Sequence, residues 1–338
     1  MGKLLSVAIP TYNMEKYLYR CLDSFLIKDS ELLKQLEVIV VNDGSKDSSS
    51  AIAHEYQQRY PGIFYVIDKE NGHYGSCINA ALKVATGKYF RIIDADDWVD
   101  TQNFTTLLRN LEHRNEDAIF SRFTLHKEKL GKVIEQDDNG IEYNKTLDLN
   151  HFMIPEPCLA MHNYSFKLEH LKHINYCQTE GVCYTDTEYV YFPLCSAKTL
   201  YCFDFSLYQY YIGRDEQSMA IGPLVKNYTH FEKVLNKFWS NEIATPNRNY
   251  NMIRTHYDVL LMRYMYQINC IYAERNKDRE NKLYERMRSL KNKNQNAYDI
   301  LINTDFHGIK YIRRCINNGI VDRLILRIVH VLFKLKNS

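Results

Sequence analysis

Short β-branched runs alternate with amphipathic stretches through the first hundred residues, and this alternation constrains the fold more than any other feature of the chain. Leu4 to Ile9 reads as a buried strand, Met14 to Ile27 as a helix, Glu37 to Val41 as a second strand and Ser48 to Tyr60 as a second helix. Phe64 to Asp68, Ser76 to Thr86 and Tyr89 to Ile93 continue the series as strand, helix and strand. Parallel neighbours need a crossover, so a βαβαβαβ order predicts a mostly parallel sheet covered by helices on both faces. Ligands of such sheets bind beyond the carboxyl ends of the strands, which makes the residues after each strand the candidate site.

The first strand ends in VAIPTYN, Val7 to Asn13. Pro10 closes it, and Thr11, Tyr12 and Asn13 offer a hydroxyl, a ring and an amide suited to gripping a nucleotide. A strand exit with a helix cap would carry the same letters, and no GxGxxG of the dinucleotide-binding type is present. The second strand runs into NDGSKD, Asn42 to Asp47, where Asp43 can accept a hydrogen bond from the imide of a base; a turn with a cap at Ser45 or Asp47 is the alternative. Asn71 to Asn79, NGHYGSCIN, is a Gly-containing loop that leads into a helix with Asn79 near the sheet edge, or simply a loop whose glycines supply positive φ. The fourth strand delivers DADDW, Asp94 to Trp98, with three carboxylates in four positions. Like charges so close raise one another's pKa, and a cation relieves the repulsion. Mg²⁺ or Mn²⁺ prefers oxygen and is held by one or two carboxylates plus substrate phosphates, a requirement that Asp94 and Asp96 meet across Ala95.

In this order, SVAIPTYN, VIVVNDGSKDSS, KENGHYGSCINAALKVATGKYF and RIIDADDW resemble the family 2 glycosyltransferases, inverting nucleotide-sugar enzymes of GT-A fold. The likeness covers about residues 4 to 100 strongly and 155 to 220 more weakly. It implies a Rossmann-like α/β domain, a mostly parallel sheet flanked by helices, followed by a C-terminal helical region. It further implies that Pro10, Thr11, Tyr12, Asn13 and Asn79 line the donor site, that Asp43 recognises uracil, and that Asp94 contacts ribose. Asp96 of the DxD motif, with Ala95 before it and Asp97 behind, then binds Mg²⁺ or Mn²⁺ on the diphosphate. The third motif, usually Ala-Arg-Asn, reads Cys77-Ile78-Asn79 here. The family's base falls within EGVCYTDTEYVYF, Glu180 to Phe192, where Thr185-Asp186 replaces the usual Glu-Asp pair. Asp186 is the catalytic base so implied, and Glu188 is the competing carboxylate. Tyr210 to Ala220 resembles the stretch that closes over the donor, with Arg214 offering a guanidinium fork to phosphate oxygens; a surface-loop arginine is the alternative. The partners implied are a UDP-sugar and a saccharide acceptor, lipid-linked in surface-polysaccharide assembly. An accessory subunit that binds nucleotide-sugar without turnover is the other reading. A nucleotidyltransferase would need a Gly-rich basic loop where this chain has Pro-Thr-Tyr-Asn.

By the same resemblance, residues 1–222 form the glycosyltransferase domain, with 1–100 as its nucleotide-sugar half and 101–222 as its acceptor half. Residues 223–338 form the helical region, since the pattern beyond Pro223 becomes helical and rich in Lys, Arg and Asn. Gly131 to Tyr143 turns polar and reads as a hairpin or surface loop. A net charge of +2 argues against nucleic-acid coating. Nine cysteines without a CxxC pair read as reduced thiols in a cytoplasmic protein. From Lys310 to Lys336 seven basic residues face the single acid Asp322, and Ile316, Ile320, Leu324, Ile328, Leu332 and Leu335 form an apolar stripe. Such a helix lies peripherally in an anionic membrane interface, or packs on a neighbouring domain or a second subunit.

Overall fold

The computed structural model describes residues 2–337 apart from 214–216, 218, 275, 306, 307 and 318, and the side chains of 334–337 also fall outside the description. The chain forms two compact units, Met1–Arg214 with Glu242–Tyr250, and Asp215–Asn241 with Asn251–Ser338.

In the first unit the alternation gives β1 (Leu5–Thr11), α1 (Leu18–Asp23), α2 (Ser30–Leu33), β2 (Leu36–Asn42), α3 (Ser49–Arg59), β3 (Phe64–Asp68), α4 (His73–Val84) and β4 (Tyr89–Ile92). Then follow β5 (Trp98–Val99), α5 (Thr101–Leu111), β6 (Ala118–Lys127), β7 (Lys132–Glu135), β8 (Thr146–Asp148), β9 (Tyr164–Lys167), α6 (Leu168–His173), α7 (Asp186–Ser196) and β10 (Thr199–Ile212). The sheet order is β3-β2-β1-β4-β9-β6-β10-β5, with β7 paired to β6 and β8 to β10. Along that path β9 and β5 run against the other strands. Every residue of β1 and β2 is buried, as expected of strands covered on both faces. The polar stretch after residue 131 is the return arm of a hairpin, since β7 pairs antiparallel with β6.

The first helix is shorter than its apolar pattern suggests. Asn13 adopts φ 54°, and the backbone N–H groups of Asn13, Met14 and Glu15 donate to Ser45 Oγ, Ser49 Oγ and Asp47 Oδ2 at 3.0, 2.7 and 3.0 Å. In return Lys46 and Ser48 donate their backbone N–H to Asn13 Oδ1 and Glu15 Oε2. Side chains of one strand exit thus satisfy the backbone of the next, and helix begins only at Leu18.

The second unit is helical: α8 (Ile221–Lys226), α9 (Tyr228–Ser240), α10 (Tyr250–Gln267) with a π-helical continuation at Ile268–Tyr272, α11 (Lys277–Lys293), α12 (Gln295–Asn303), α13 (Tyr311–Asn317) and α14 (Ile320–Asn337). The basic amphipathic pattern of the tail is divided between α13 and α14. Among the described residues no helix is long and apolar enough to cross a membrane.

Candidate active site

The carboxyl ends of β1, β2 and β4 bring most of the expected residues to one edge of the sheet. Pro10 and Thr11 finish β1, with Thr11 Oγ1 turned back to donate to the Ile9 carbonyl at 3.1 Å. Tyr12 is 45% exposed, so its ring is available to a ligand. Asp43 is buried just past β2. Its Oδ1 accepts from Lys69 Nζ at 2.8 Å and from the Gly72 N–H at 2.9 Å, which links the exits of β2 and β3 to the start of α4.

Asp94 to Asp97 form a turn closed by the Asp97 N–H on the Asp94 carbonyl at 3.0 Å. Asp94 Oδ1 accepts from the Tyr74 hydroxyl at 2.9 Å. Asp97 is fully buried, and its two oxygens accept from the Tyr211 N–H at 2.7 Å and the Tyr208 hydroxyl at 2.6 Å. Ala95 and the Asp96 side chain are also buried, and the Asp96 carbonyl accepts from Arg20 Nη2 at 2.8 Å. Arg20 lies 3.9 Å above the Trp98 ring and 4.8 Å from that of Tyr211. Burial lowers its pKa, while Asp97 and Asp96 act to raise it, so a partly buried cation backs the acidic turn.

Asp186 is the first residue of α7. Burial raises its carboxyl to about pKa 6, opposed by backbone N–H groups at Thr187 and Asp186 and assisted by Glu188. Two phenols feel the charge of both Asp186 and the acidic turn. Tyr74 is held well above the usual phenol range by burial, then by the charges of Asp94 and Asp186. Burial likewise raises Tyr210, followed by Asp97, Asp94, Asp186 and Asp96. Glu188, the competing carboxylate, is fully buried and accepts from the Thr179 N–H and hydroxyl at 2.9 and 2.7 Å. Thr185, in the place of the family's acid, is buried and donates to Gln178 Oε1 at 2.8 Å.

Asn79 is not gathered into this cluster. Its Nδ2 donates to the Gln178 carbonyl and to Glu180 Oε1, both at 2.9 Å, and its Oδ1 accepts from the Gln178 N–H, so the amide ties α4 to the segment before α7. The glycines of that region do not supply positive φ; His73, at φ 63°, does. Gly75 is required by close approach instead, since a Cβ there would lie 2.2 Å from the Thr179 carbonyl oxygen. Arg214 lies outside the described residues.

Sequence reasoning assigned no individual role to Tyr74, Tyr208, Tyr210, Arg20 or His162, although Tyr208 and Tyr210 stand in the tyrosine-rich acceptor half. The period-2 register of β10 puts Tyr208 and Tyr210 on one face, a signal available in the sequence; an isolated histidine such as His162 gives none. The ligand atoms of Asp94, Asp97 and His162 all lie within 4.8 Å of one another. Burial, then Arg91, drops the His162 imidazole to about pKa 3, which keeps it neutral. Its ring stacks on Tyr210 at 4.3 Å, and its buried Nδ1 has no hydrogen-bond partner. A neutral, buried imidazole with an unpartnered Nδ1 beside carboxylate oxygens fits a small divalent cation of the Mg²⁺ or Mn²⁺ type. Asp96, the ligand implied by resemblance, is not in that group.

Comparison with known proteins bears on this arrangement. Residues 6–169 match the family model for Glycosyl transferase family 2. The chain is 32% identical over 144 residues to Glycosyltransferase GlyA of Streptococcus pneumoniae, an alignment covering 43% of this chain and 20% of GlyA. It is 36% identical over 119 residues to the uncharacterized glycosyltransferase EpsJ of Bacillus subtilis, covering 35% and 33%. The alignments thus span a third or less of these two relatives. Among solved structures, S. aureus TarS 1–349 in complex with UDP-GlcNAc aligns with a TM-score of 0.61 at 17% identity, over 98% of this chain and 92% of that one. Mannosyltransferase PcManGT from Pyrobaculum calidifontis, in complex with GDP-Man and Mn²⁺, aligns with a TM-score of 0.53 at 13% identity, over 99% and 87%. The mixed, helix-flanked sheet is the GT-A fold of these neighbours, and through residues 6–169 the chain belongs to glycosyl transferase family 2.

Proposed function

We propose that the protein is an inverting glycosyltransferase that moves a sugar from a UDP-sugar to a hydroxyl of a saccharide acceptor, lipid-linked, in surface-polysaccharide synthesis. One observation carries the reading: Asp186, a half-buried carboxyl raised to about pKa 6, shares Tyr74 and Tyr210 with the acidic turn after β4. Inversion needs a base to take the acceptor proton and, apart from it, positive charge for the departing diphosphate. A carboxylate titrating near 6 is a stronger base than an ordinary aspartate and still ionised at neutral pH.

In this mechanism Asp186 receives the acceptor proton on its carboxylate. Asp43, braced by Lys69, reads the base imide, and Tyr12 and Asn13 border the nucleotide. Asp94 and His162 would hold the cation, with Asp96 on the same turn; when bound, the ion supplies charge neutralisation at the diphosphate. Asp97, engaged by Tyr208 and Tyr211, keeps the turn in shape. Residues 1–100 serve the donor and 101–222 the acceptor, and the region from 223 onward is an accessory helical one apart from residues 242–250, which belong to the first unit. The nucleotide-sugars bound by the structural neighbours and the nine free thiols fit a cytoplasmic enzyme. The test is UDP release from a panel of UDP-sugars, with Mn²⁺ or Mg²⁺, in the presence and absence of membrane-extracted acceptor. Metal-dependent release stimulated by acceptor is expected. A panel in which no UDP-sugar binds defeats the reading.

A further inference from the structure

The apolar stripe of the last helix faces solvent. Along α14, Ile320 is 75%, Val321 66%, Leu324 53%, Ile328 56%, Val331 53% and Leu332 60% exposed. At the helical repeat these six fall within an arc of about 120°. The helix is seated by a different face: Val329 is buried, His330 Nδ1 donates to the Ile271 carbonyl at 2.7 Å, and the Phe333 ring lies 5.0 Å from that of Tyr272. A helix docked for stability alone would bury its most apolar arc; α14 turns that arc outward.

The charge beside the arc says what covers it. Arg323 and Arg327 are both exposed and border one side of the apolar residues. Asp322 is the only carboxylate in α14, and it pairs with Arg314 at 3.1 Å on the seated side. We infer that this face is a docking surface for an anionic lipid bilayer, with α14 lying in the interface plane. The apolar residues enter the acyl boundary while the two guanidinium groups stay at the headgroups. The stretch from Ile320 to Leu332 spans about 18 Å of helix, suited to lying in the interface and too short to cross a core of about 30 Å. A second copy is the poorer occupant. A two-fold antiparallel pairing of the stripe sets each arginine-bearing flank against the same flank of the other copy, and the one carboxylate of α14, Asp322, is already engaged by Arg314. The inference depends on α14 alone and stands or falls apart from the donor chemistry.

The test is co-sedimentation of the full chain with vesicles of phosphatidylcholine alone or mixed with phosphatidylglycerol. Binding is expected on the mixed vesicles, weakening as salt is raised. Ile328→Glu sits at an exposed position, so an unchanged circular dichroism spectrum is expected together with binding reduced to the phosphatidylcholine level. Arg323→Gln with Arg327→Gln should lower affinity roughly 30-fold, about fivefold per cation. Three results overturn the inference: no binding of the wild type to mixed vesicles, undiminished binding by Ile328→Glu, or self-association in sedimentation velocity that Ile328→Glu abolishes while the wild type ignores both vesicle types.

Discussion

Asp186 carries a proton at a pH where an exposed aspartate would have lost it, and three consequences follow from that one group. In its proposed role as base it must be ionised, so turnover should fall tenfold per pH unit below about 6 and level off above it, read from kcat against pH. Asp186→Asn should cost about 10²- to 10⁴-fold in kcat while leaving UDP-sugar affinity within a few-fold, separable by calorimetry. Stability should move the other way. With a folded pKa near 6 against 3.8 unfolded, the folded state binds the extra proton between those values, so stability drops as pH rises through that window. Asp186→Asn lacks this penalty and should melt higher than wild type at pH 7, with the difference closing below about pH 4. His162→Ala should weaken Mn²⁺ affinity about tenfold, measured by electron paramagnetic resonance without any substrate. Asp43 and Asp94 were nameable as candidates in the sequence because each follows an apolar strand, whereas Asp186 was named only through the family resemblance. His162 was not legible, because its neighbours in space, Asp94 and Tyr210, are far from it along the chain.

Elements are placed by contacts that the local pattern does not encode. The strand-and-helix order of residues 4–93 was legible because fully buried β1 and β2 read as continuous apolar runs. The start of α1 was not, since the residues that cap Asn13, Met14 and Glu15 come from the loop after β2. Gly75 shows the same limit: its sequence context suggests a turn, while its actual role is to let α4 meet the Thr179 carbonyl. Gly75→Ala should therefore push α4 away from the segment that Glu188 and Asn79 hold, lowering stability by about 1–3 kcal/mol and disturbing Asp186 as well. A lowered denaturant midpoint with reduced kcat is the expected outcome; an unchanged midpoint would show that the segment yields freely.

At the scale of the whole molecule the chain builds its sheet unit with residues from far downstream. Asn249 is fully buried, its Nδ2 donating to the Leu149 and Phe152 carbonyls at 3.0 Å each and its Oδ1 accepting from the Ile154 N–H at 2.8 Å. Asn249→Ala would orphan three backbone groups and should lower unfolding free energy by roughly 3 kcal/mol, read from urea denaturation. No periodicity announces this return of the chain, whereas the helical character of the remainder was legible in its composition. The proposed activity gathers these parts together, because Asp186, the acidic turn and the nucleotide edge must all be in place at once. The most direct test is therefore the rate of UDP release from the preferred UDP-sugar, followed from about pH 4.5 to 8 in wild type and Asp186→Asn. Wild type should show a unit-slope acid limb near pH 6, and the variant a low, pH-independent residual rate. A flat wild-type profile, or the same limb at full rate in Asp186→Asn, would contradict it.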